Sequence, residues 1–248
     1  MSRPPNIDPS SFKLELNIIG FLSRSSFKEK FGTPRQSGLV QEATATLSLN
    51  PEFADPNFVR GLDQYSHLWL IGCFHQNINH GWKPTVRPPR LDGNTRMGVF
   101  ATRSSFRPNG LSLSVVKLEE ICKTGGCLEL EISGIDLIEG TPIYDIKPYI
   151  PYADAYPDAL APWLQENPFE IIEIDWKPTA KQSLQTLKPR SAERISTLIR
   201  KVIAQDPRPA SQRSNQTKKS FGILLEDLNI SFQVQEQRAT ILSIELVR

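Results

Sequence analysis

The 248-residue chain is poor in the features that mark several large protein classes. It has three cysteines, Cys73, Cys122 and Cys127, which cannot all pair with one another and accompany no secretion signal. A disulfide-stapled secreted protein is therefore excluded, and a reducing cytoplasm is the expected compartment. The longest apolar run, from His67 to Phe74, is far too short to cross a bilayer, so no membrane association is expected. No glycine-rich fingerprint joins a strand to a helix, which argues against both a dinucleotide fold and a phosphate-binding loop. A Gly-x-Ser-x-Gly elbow is missing as well. The three histidines, His67, His75 and His80, lack the cysteine or histidine partners that zinc spacing needs, so no metal is expected.

Strands dominate what is present. Lys13 to Leu22, Val40 to Leu49, Leu111 to Leu118, Leu128 to Ile132 and Ile143 to Ile146 read as strands. Gly98 to Thr102 reads as a further one, and Ser66 to Phe74 as one buried on both faces. Proline, glycine and asparagine punctuate the gaps. Short strands without long intervening helices predict a mainly β fold, a barrel or strongly bent sheet, rather than a doubly wound one. Residues 1–12 read as a flexible leader and 13–156 as the β domain. Residues 157–248 read as a small α+β domain. In that second part Thr179 is placed to cap a short helix. Over Ser191 to Gln205, Ile195, Leu198, Ile199, Val202 and Ile203 fall at helical spacing before Pro207 stops the helix.

The formal net charge of +2 says little, but its distribution says more. Lys177 to Lys219 holds eleven basic residues against Glu193 and Asp206, and Lys83 to Arg107 holds six against Asp92. Either segment alone would be an ordinary solvated face. Two together suit a polyanion contacted at several points. The loop from Trp82 to Arg90 is stiffened by three prolines and carries one aromatic, which suits phosphates and a stacked base.

Four polar, turn-rich segments sit at the ends of expected strands, where site residues collect. They are Phe27 to Gln36, Phe74 to Gln76, Phe100 to Asn109 and Ile135 to Tyr149. Arg103 and Arg107 straddle a stretch that Pro108 keeps from becoming a long helix, so both guanidinium groups can face one anion. Read singly, each segment is a turn.

Together they resemble the TrmO family of S-adenosylmethionine-dependent tRNA methyltransferases. The resemblance rests on Lys28-Glu-Lys-Phe-Gly-Thr-Pro-Arg-Gln36, Ser66-His-Leu-Trp69 leading into Phe74-His-Gln76, and Gly98-Val-Phe-Ala-Thr-Arg103 with Arg107-Pro-Asn109. Gly140-Thr-Pro142 followed by Asp145-Ile-Lys-Pro-Tyr149 completes it, and Ala204 to Ala210 is similar to the family's C-terminal domain. The resemblance implies a single-sheet β-barrel binding S-adenosylmethionine outside the Rossmann class, working as a homodimer. The reaction it implies is N6-methylation of N6-threonylcarbamoyladenosine at position 37, beside the anticodon of threonine tRNA. The implied cofactor contacts are Pro34, Arg35, Gln36, His75, Gln76, Arg103, Leu113, Leu137, Ile138, Glu139 and Gly140. Glu139 stands where the family usually has Asp, and Gly110-Leu111-Ser112 departs from the family's loop.

From the chemistry, Asp145 is the candidate proton acceptor, with Lys147 and Tyr149 holding the base and its threonyl carboxylate. Lys83, Arg87, Arg90, Arg107, Asn109 and Arg208 are the expected RNA contacts. Two other readings remain: a methyltransferase of this fold acting on another RNA or a small molecule, and a non-catalytic RNA-binding protein.

Overall fold

The computed structural model describes residues 13–88, 95–166, 171–208, 212 and 219–247. The leader over 1–12 and Arg90 lie outside the described residues. Six strands carry the first half: β1 (Gly20–Ser23), β2 (Thr44–Leu49), β3 (His67–Cys73), β6 (Leu111–Thr124), β7 (Cys127–Ser133) and β8 (Pro142–Pro148). Two short strands, β4 (Thr85–Val86) and β5 (Met97–Gly98), form a separate pair. The six hydrogen-bond antiparallel in the order β1-β2-β7-β6-β3-β8, and β8 returns to β1 through Gly20 with Ile143 and Phe21 with Pro142. The ring therefore closes, which leaves no long unpaired edge. Its interior is filled by Leu22, Leu47, Leu68, Leu70, Leu130, Ile132 and Ile143, each no more than 1% exposed.

Three expectations fail locally. Strand β3 is buried on one face only: Leu68 and Leu70 point inward, while His67 is exposed and Trp69 and Ile71 are half-buried on the outside. Its outer apolar residues are covered by neighbours instead of a second layer. The Trp69 ring lies 5.8 Å from that of Tyr149, and its indole N–H donates to Asp154 in helix α1 (Pro151–Asp154) over 3.1 Å. Residues 13–19 are not a strand, because the partner β2 ends at Leu49 and Pro51 opens a 3-10 turn. Val99–Ala101 is also a 3-10 turn, since both the backbone N–H and the hydroxyl of Thr102 donate back to the Val99 carbonyl.

The second half contains α2 (Pro162–Glu166), β9 (Glu173–Trp176), α3 (Pro178–Gln185), α4 (Pro189–Ala204), β10 (Ser220–Leu225), β11 (Leu228–Gln235) and β12 (Arg238–Leu246). The sheet order is β10-β11-β12-β9, with β9 parallel to β12. Helix α4 buries Ile195, Leu198, Ile199, Val202 and Ile203, the five positions its spacing picks out. Pro189 begins it, where a missing N–H costs nothing. Thr179 does not cap α3; its hydroxyl donates to the Leu242 carbonyl over 2.9 Å, and Lys177 occupies the cap position.

The halves are joined through the segment after β1. Phe27, 1% exposed, forms an isolated antiparallel bridge with Leu225, and Glu226 donates its N–H to the Ser26 carbonyl at 2.9 Å. Arg194 of α4 grips Glu226 with both terminal nitrogens, at 2.7 and 2.8 Å, and Lys201 reaches Glu42 at 2.8 Å. Gly32 packs into the same seam at φ +94°, and a Cβ there would stand 1.9 Å from Ile223 Cδ1. Gly32→Ala is expected to destabilise the protein by about 2–3 kcal/mol, through backbone strain and overpacking together. Equilibrium denaturation measures this.

Candidate active site

Strand β6 runs past the end of β7. Lys117 to Thr124 pair with β7, but Leu111 to Val116 have β3 on one side and no strand on the other. The segment after β1 fills that gap. Val115 donates its N–H to Ser37 Oγ at 3.1 Å, and the N–H of Gly38 donates to the Gly134 carbonyl at 2.8 Å. The expected contacts Pro34, Arg35 and Gln36 are thereby laid beside Leu113, which is 58% exposed.

Arg103 arrives from the turn after β5. Its guanidinium donates to Gln36 Oε1 at 2.5 Å, with the side chain exposed to solvent. The loop after β7 supplies Leu137, Ile138, Glu139 and Gly140. Its backbone is fixed where the Glu139 N–H meets the Phe27 carbonyl and the Gly140 N–H meets that of Leu22, each at 2.8 Å. Glu139 Oε2 accepts from the Ser25 N–H at 3.1 Å and pairs with Lys28. Lys28, absent from the expected contacts, thus neutralises the Glu139 carboxylate. His75 and Gln76 open the 3-10 helix after β3 (His75–His80), which the Phe74 N–H ties to the Gly110 carbonyl at 2.8 Å.

Two polar residues at this junction were not expected. Ser114 faces the ring interior and donates to Asp136 Oδ1 at 2.6 Å. Burial pushes the Asp136 carboxyl above its ordinary range, while the Ser114 hydroxyl, the nearby Arg103 charge and a bond from the Ser37 N–H pull it back. Asp136 therefore links the three segments that carry Ser37, Arg103 and Ser114. The available signal was a pair of serines, Ser112 and Ser114, at inward positions of an apolar strand.

Asp145, Lys147 and Tyr149 lie on the outside of the ring. Across β3, Asp145 aligns with Ile71 and Leu113, and Lys147 with Trp69 and Val115. Directly paired residues share a face, so Asp145 and Leu113 project the same way, two strand spacings or about 10 Å apart. Asp145 Oδ1 accepts its neighbour Ile146's N–H at 2.9 Å, and Lys147 Nζ stands 3.9 Å from Oδ2. Tyr149 packs between Trp69 and His67.

Of the expected RNA contacts, Lys83, Arg87 and Asn109 are exposed and Arg107 is half-buried. Arg208 is not at the surface. Its guanidinium, 6% exposed, pairs with Asp206 at 2.7 and 3.0 Å and lies over Phe221, which removes it from direct RNA contact. Cys122, Glu129 and Glu131 bring three donor atoms within 4.8 Å, but Arg24 already bonds both carboxylates at 3.0 and 2.9 Å. That guanidinium supplies the counter-charge a cation would bring.

Comparison with known proteins identifies the family. Residues 22–155 match the tRNA-methyltransferase O N-terminal domain, and residues 170–247 match the TrmO C-terminal domain. The Escherichia coli K12 tRNA (adenine(37)-N6)-methyltransferase is 43% identical over 236 residues, covering 95% of this chain and 99% of that one. A protein of the same name from Eikenella corrodens is 44% identical over 177 residues, 71% of this chain and 95% of its own. The crystal structure of TrmO from Pseudomonas aeruginosa superposes with a TM-score of 0.76 at 35% identity, covering 94% of this chain and 99% of that one. Fold and site thus define a tRNA methyltransferase built without a Rossmann sheet. The chain belongs to the TrmO family.

Arg103 has an exposed fork whose one bond among the described residues goes to a neutral amide. Beside it, Leu113 offers bare apolar surface. That donor set fits S-adenosylmethionine, which presents a carboxylate at one end and flat apolar surface at the other. Arg103→Met is expected to weaken S-adenosylmethionine binding by about tenfold or more, since a bond to a charged group contributes roughly 1.5–3 kcal/mol. Titration calorimetry reads the change, and the melting temperature should stay constant because the side chain is exposed.

Proposed function

We propose that this tRNA methyltransferase, with S-adenosylmethionine as methyl donor, methylates N6 of N6-threonylcarbamoyladenosine at position 37, beside the anticodon of threonine tRNA. The observation that carries the reading is the convergence of Gln36, Arg103, Leu113 and the 137–140 loop at one end of the ring, next to the outward-facing Asp145. The names of the relatives from Escherichia coli and Eikenella corrodens, which specify adenine 37 and N6, support the position.

The closed ring is read as a single-sheet barrel spanning 13–156, with 157–248 as a second domain. Arg35 or Arg103 holds the methionine carboxylate. His75, Gln76 and Pro34 line the cofactor, and the backbone of Leu137 and Ile138 reads the adenine. Glu139 keeps Oε1 for a ribose hydroxyl while Lys28 and Ser25 occupy Oε2. The cofactor supplies an electrophilic methyl on a sulfonium, so positioning of the two reactants accounts for most of the acceleration. The target nitrogen gains the methyl and loses its hydrogen, and the Asp145 carboxylate takes that proton. Lys147 and Tyr149 fix the base and its threonyl group.

Among the described residues no helix is long and apolar enough to cross a membrane. The three free thiols suit the cytoplasm. Exposed Tyr152, Tyr156 and Leu160, at 92, 76 and 83%, offer apolar surface for a second copy, in line with a homodimer.

The test is methyl transfer from labelled S-adenosylmethionine to total tRNA from cells with and without the threonylcarbamoyl modification. Label in the first pool alone supports the proposal. Label in both keeps the methyltransferase and moves its target.

A further inference from the structure

From Gln76, one of the proposed cofactor contacts, extends an open groove of about 470 Å³, lined also by Lys30, Asn77, His80, Lys83 and Phe106. Three segments build it, and two of them are fastened together. The Lys83 N–H donates to the Phe106 carbonyl at 3.2 Å, and the Asn77 amide donates to Ser105. Two ammonium groups converge on a single ring: Lys30 Nζ is 5.3 Å and Lys83 Nζ 5.0 Å from the Phe106 centroid.

Both lysines lack a carboxylate partner among the described residues, whereas Lys28, Lys117, Lys147 and Lys201 each have one. The rest of the lining is Gln76, Asn77, His80 and Phe106, with no acidic residue in it. The ring quadrupole attracts each ammonium by about 0.5–1 kcal/mol at an exposed site, and their mutual repulsion opposes that gain. An anion seated between them would relieve the repulsion, with the Gln76 and Asn77 amides and the His80 ring at hand as further donors. This pattern differs from the cofactor contacts, where Arg103 bonds Gln36 and Lys28 is neutralised by Glu139.

We infer that the groove is a subsite for an oxyanion of the RNA substrate. Two groups carry that chemistry: a phosphodiester next to the target nucleotide, or the carboxylate of its threonyl group. The inference rests on the proposed tRNA substrate, and the carboxylate alternative on its threonylcarbamoyl modification.

The test uses the full chain carrying Lys30→Ala and Lys83→Ala together, with Lys30→Arg and Lys83→Arg as the charge-preserving control. Binding is measured to modified and unmodified threonine tRNA across a salt series, and to S-adenosylmethionine by calorimetry. Both lysines are exposed, so the variants should melt as the parent does. The double alanine variant is expected to bind tRNA about tenfold more weakly at low salt, with cofactor affinity unchanged and the arginine variant close to the parent. Equal loss on both tRNAs, with the salt slope reduced by about one, assigns the groove to a phosphodiester. Loss confined to the modified tRNA assigns it to the carboxylate. Unchanged tRNA binding overturns the inference, as does a matching loss of cofactor affinity. Failure of the substrate reading would show separately, as equal turnover of the two tRNAs by the unaltered protein.

Discussion

Replacing Asp145 with asparagine is expected to lower kcat about a hundredfold while the Kd for S-adenosylmethionine and the melting temperature hold. The size follows from the chemistry, because a positioned proton acceptor contributes roughly 10²–10⁴-fold. Asparagine keeps the shape and an acceptor oxygen but cannot take up the proton. Stability should hold because the Asp145–Lys147 contact is long, at 3.9 Å, with both side chains more than half exposed, at 53 and 64%. Pairs of that kind contribute about 0–1 kcal/mol. Single-turnover methylation with saturating tRNA isolates the chemical step. A change of twofold or less would assign Asp145 to shaping strand β8 and leave the proton to solvent or to another group. Lys147→Gln in the same assay should raise KM more than it lowers kcat, if the lysine holds substrate and takes no part in proton transfer.

Arg208→Met should be the costliest single change to stability, at about 3 kcal/mol, with tRNA affinity of the folded protein unaltered. The Arg208–Asp206 pair is almost sealed from solvent, with side chains 6 and 11% exposed. Such a pair need not exceed well-packed apolar residues in stability, but breaking a nearly buried pair by removing one partner lowers stability by about 3–5 kcal/mol. Asp206 also sits at φ +44°, a backbone setting that the two guanidinium contacts help to hold. Urea unfolding measures the first effect, and tRNA binding at low temperature the second. A large fall in tRNA affinity with normal stability would instead make the guanidinium an RNA ligand that leaves its pocket on binding.

That residue also marks where sequence reasoning stops. Arg208 lies in a stretch with a strong basic surplus, and charge counting cannot separate a surface arginine from one folded back on an aspartate two residues earlier. The buried positions of helix α4 were legible, though its ends at Pro189 and Ala204 were not, because burial of one helical face imposes a period on the sequence. Strand β3 was legible in position but not in exposure. A continuous apolar run says that both faces are apolar, and Tyr149 and α1 cover the outer face from elsewhere in the chain. The site segments were recognisable as ordered motifs, and the structure adds how they meet. Asp136, Ser114 and Ser37 make contacts that run between residues 22 or more positions apart, which no local pattern encodes. Lys83 is legible as a basic loop residue, but its convergence with Lys30 on the Phe106 ring is as non-local.

The seam formed by Phe27, Leu225 and the Arg194–Glu226 grip bears on how the enzyme can be taken apart. Lys28 and Lys30 stand one and three residues beyond Phe27, and Gly32 is wedged against Ile223. The loop of the first half that carries Lys28 and Lys30 is thus moulded on a surface that belongs to the second. A fragment ending near residue 156 would keep every strand of the ring yet bring Phe27 to the surface and release the loop it anchors. The second half is therefore the template on which that loop acquires its working shape, and separate expression of the two pieces should restore activity only when they are mixed.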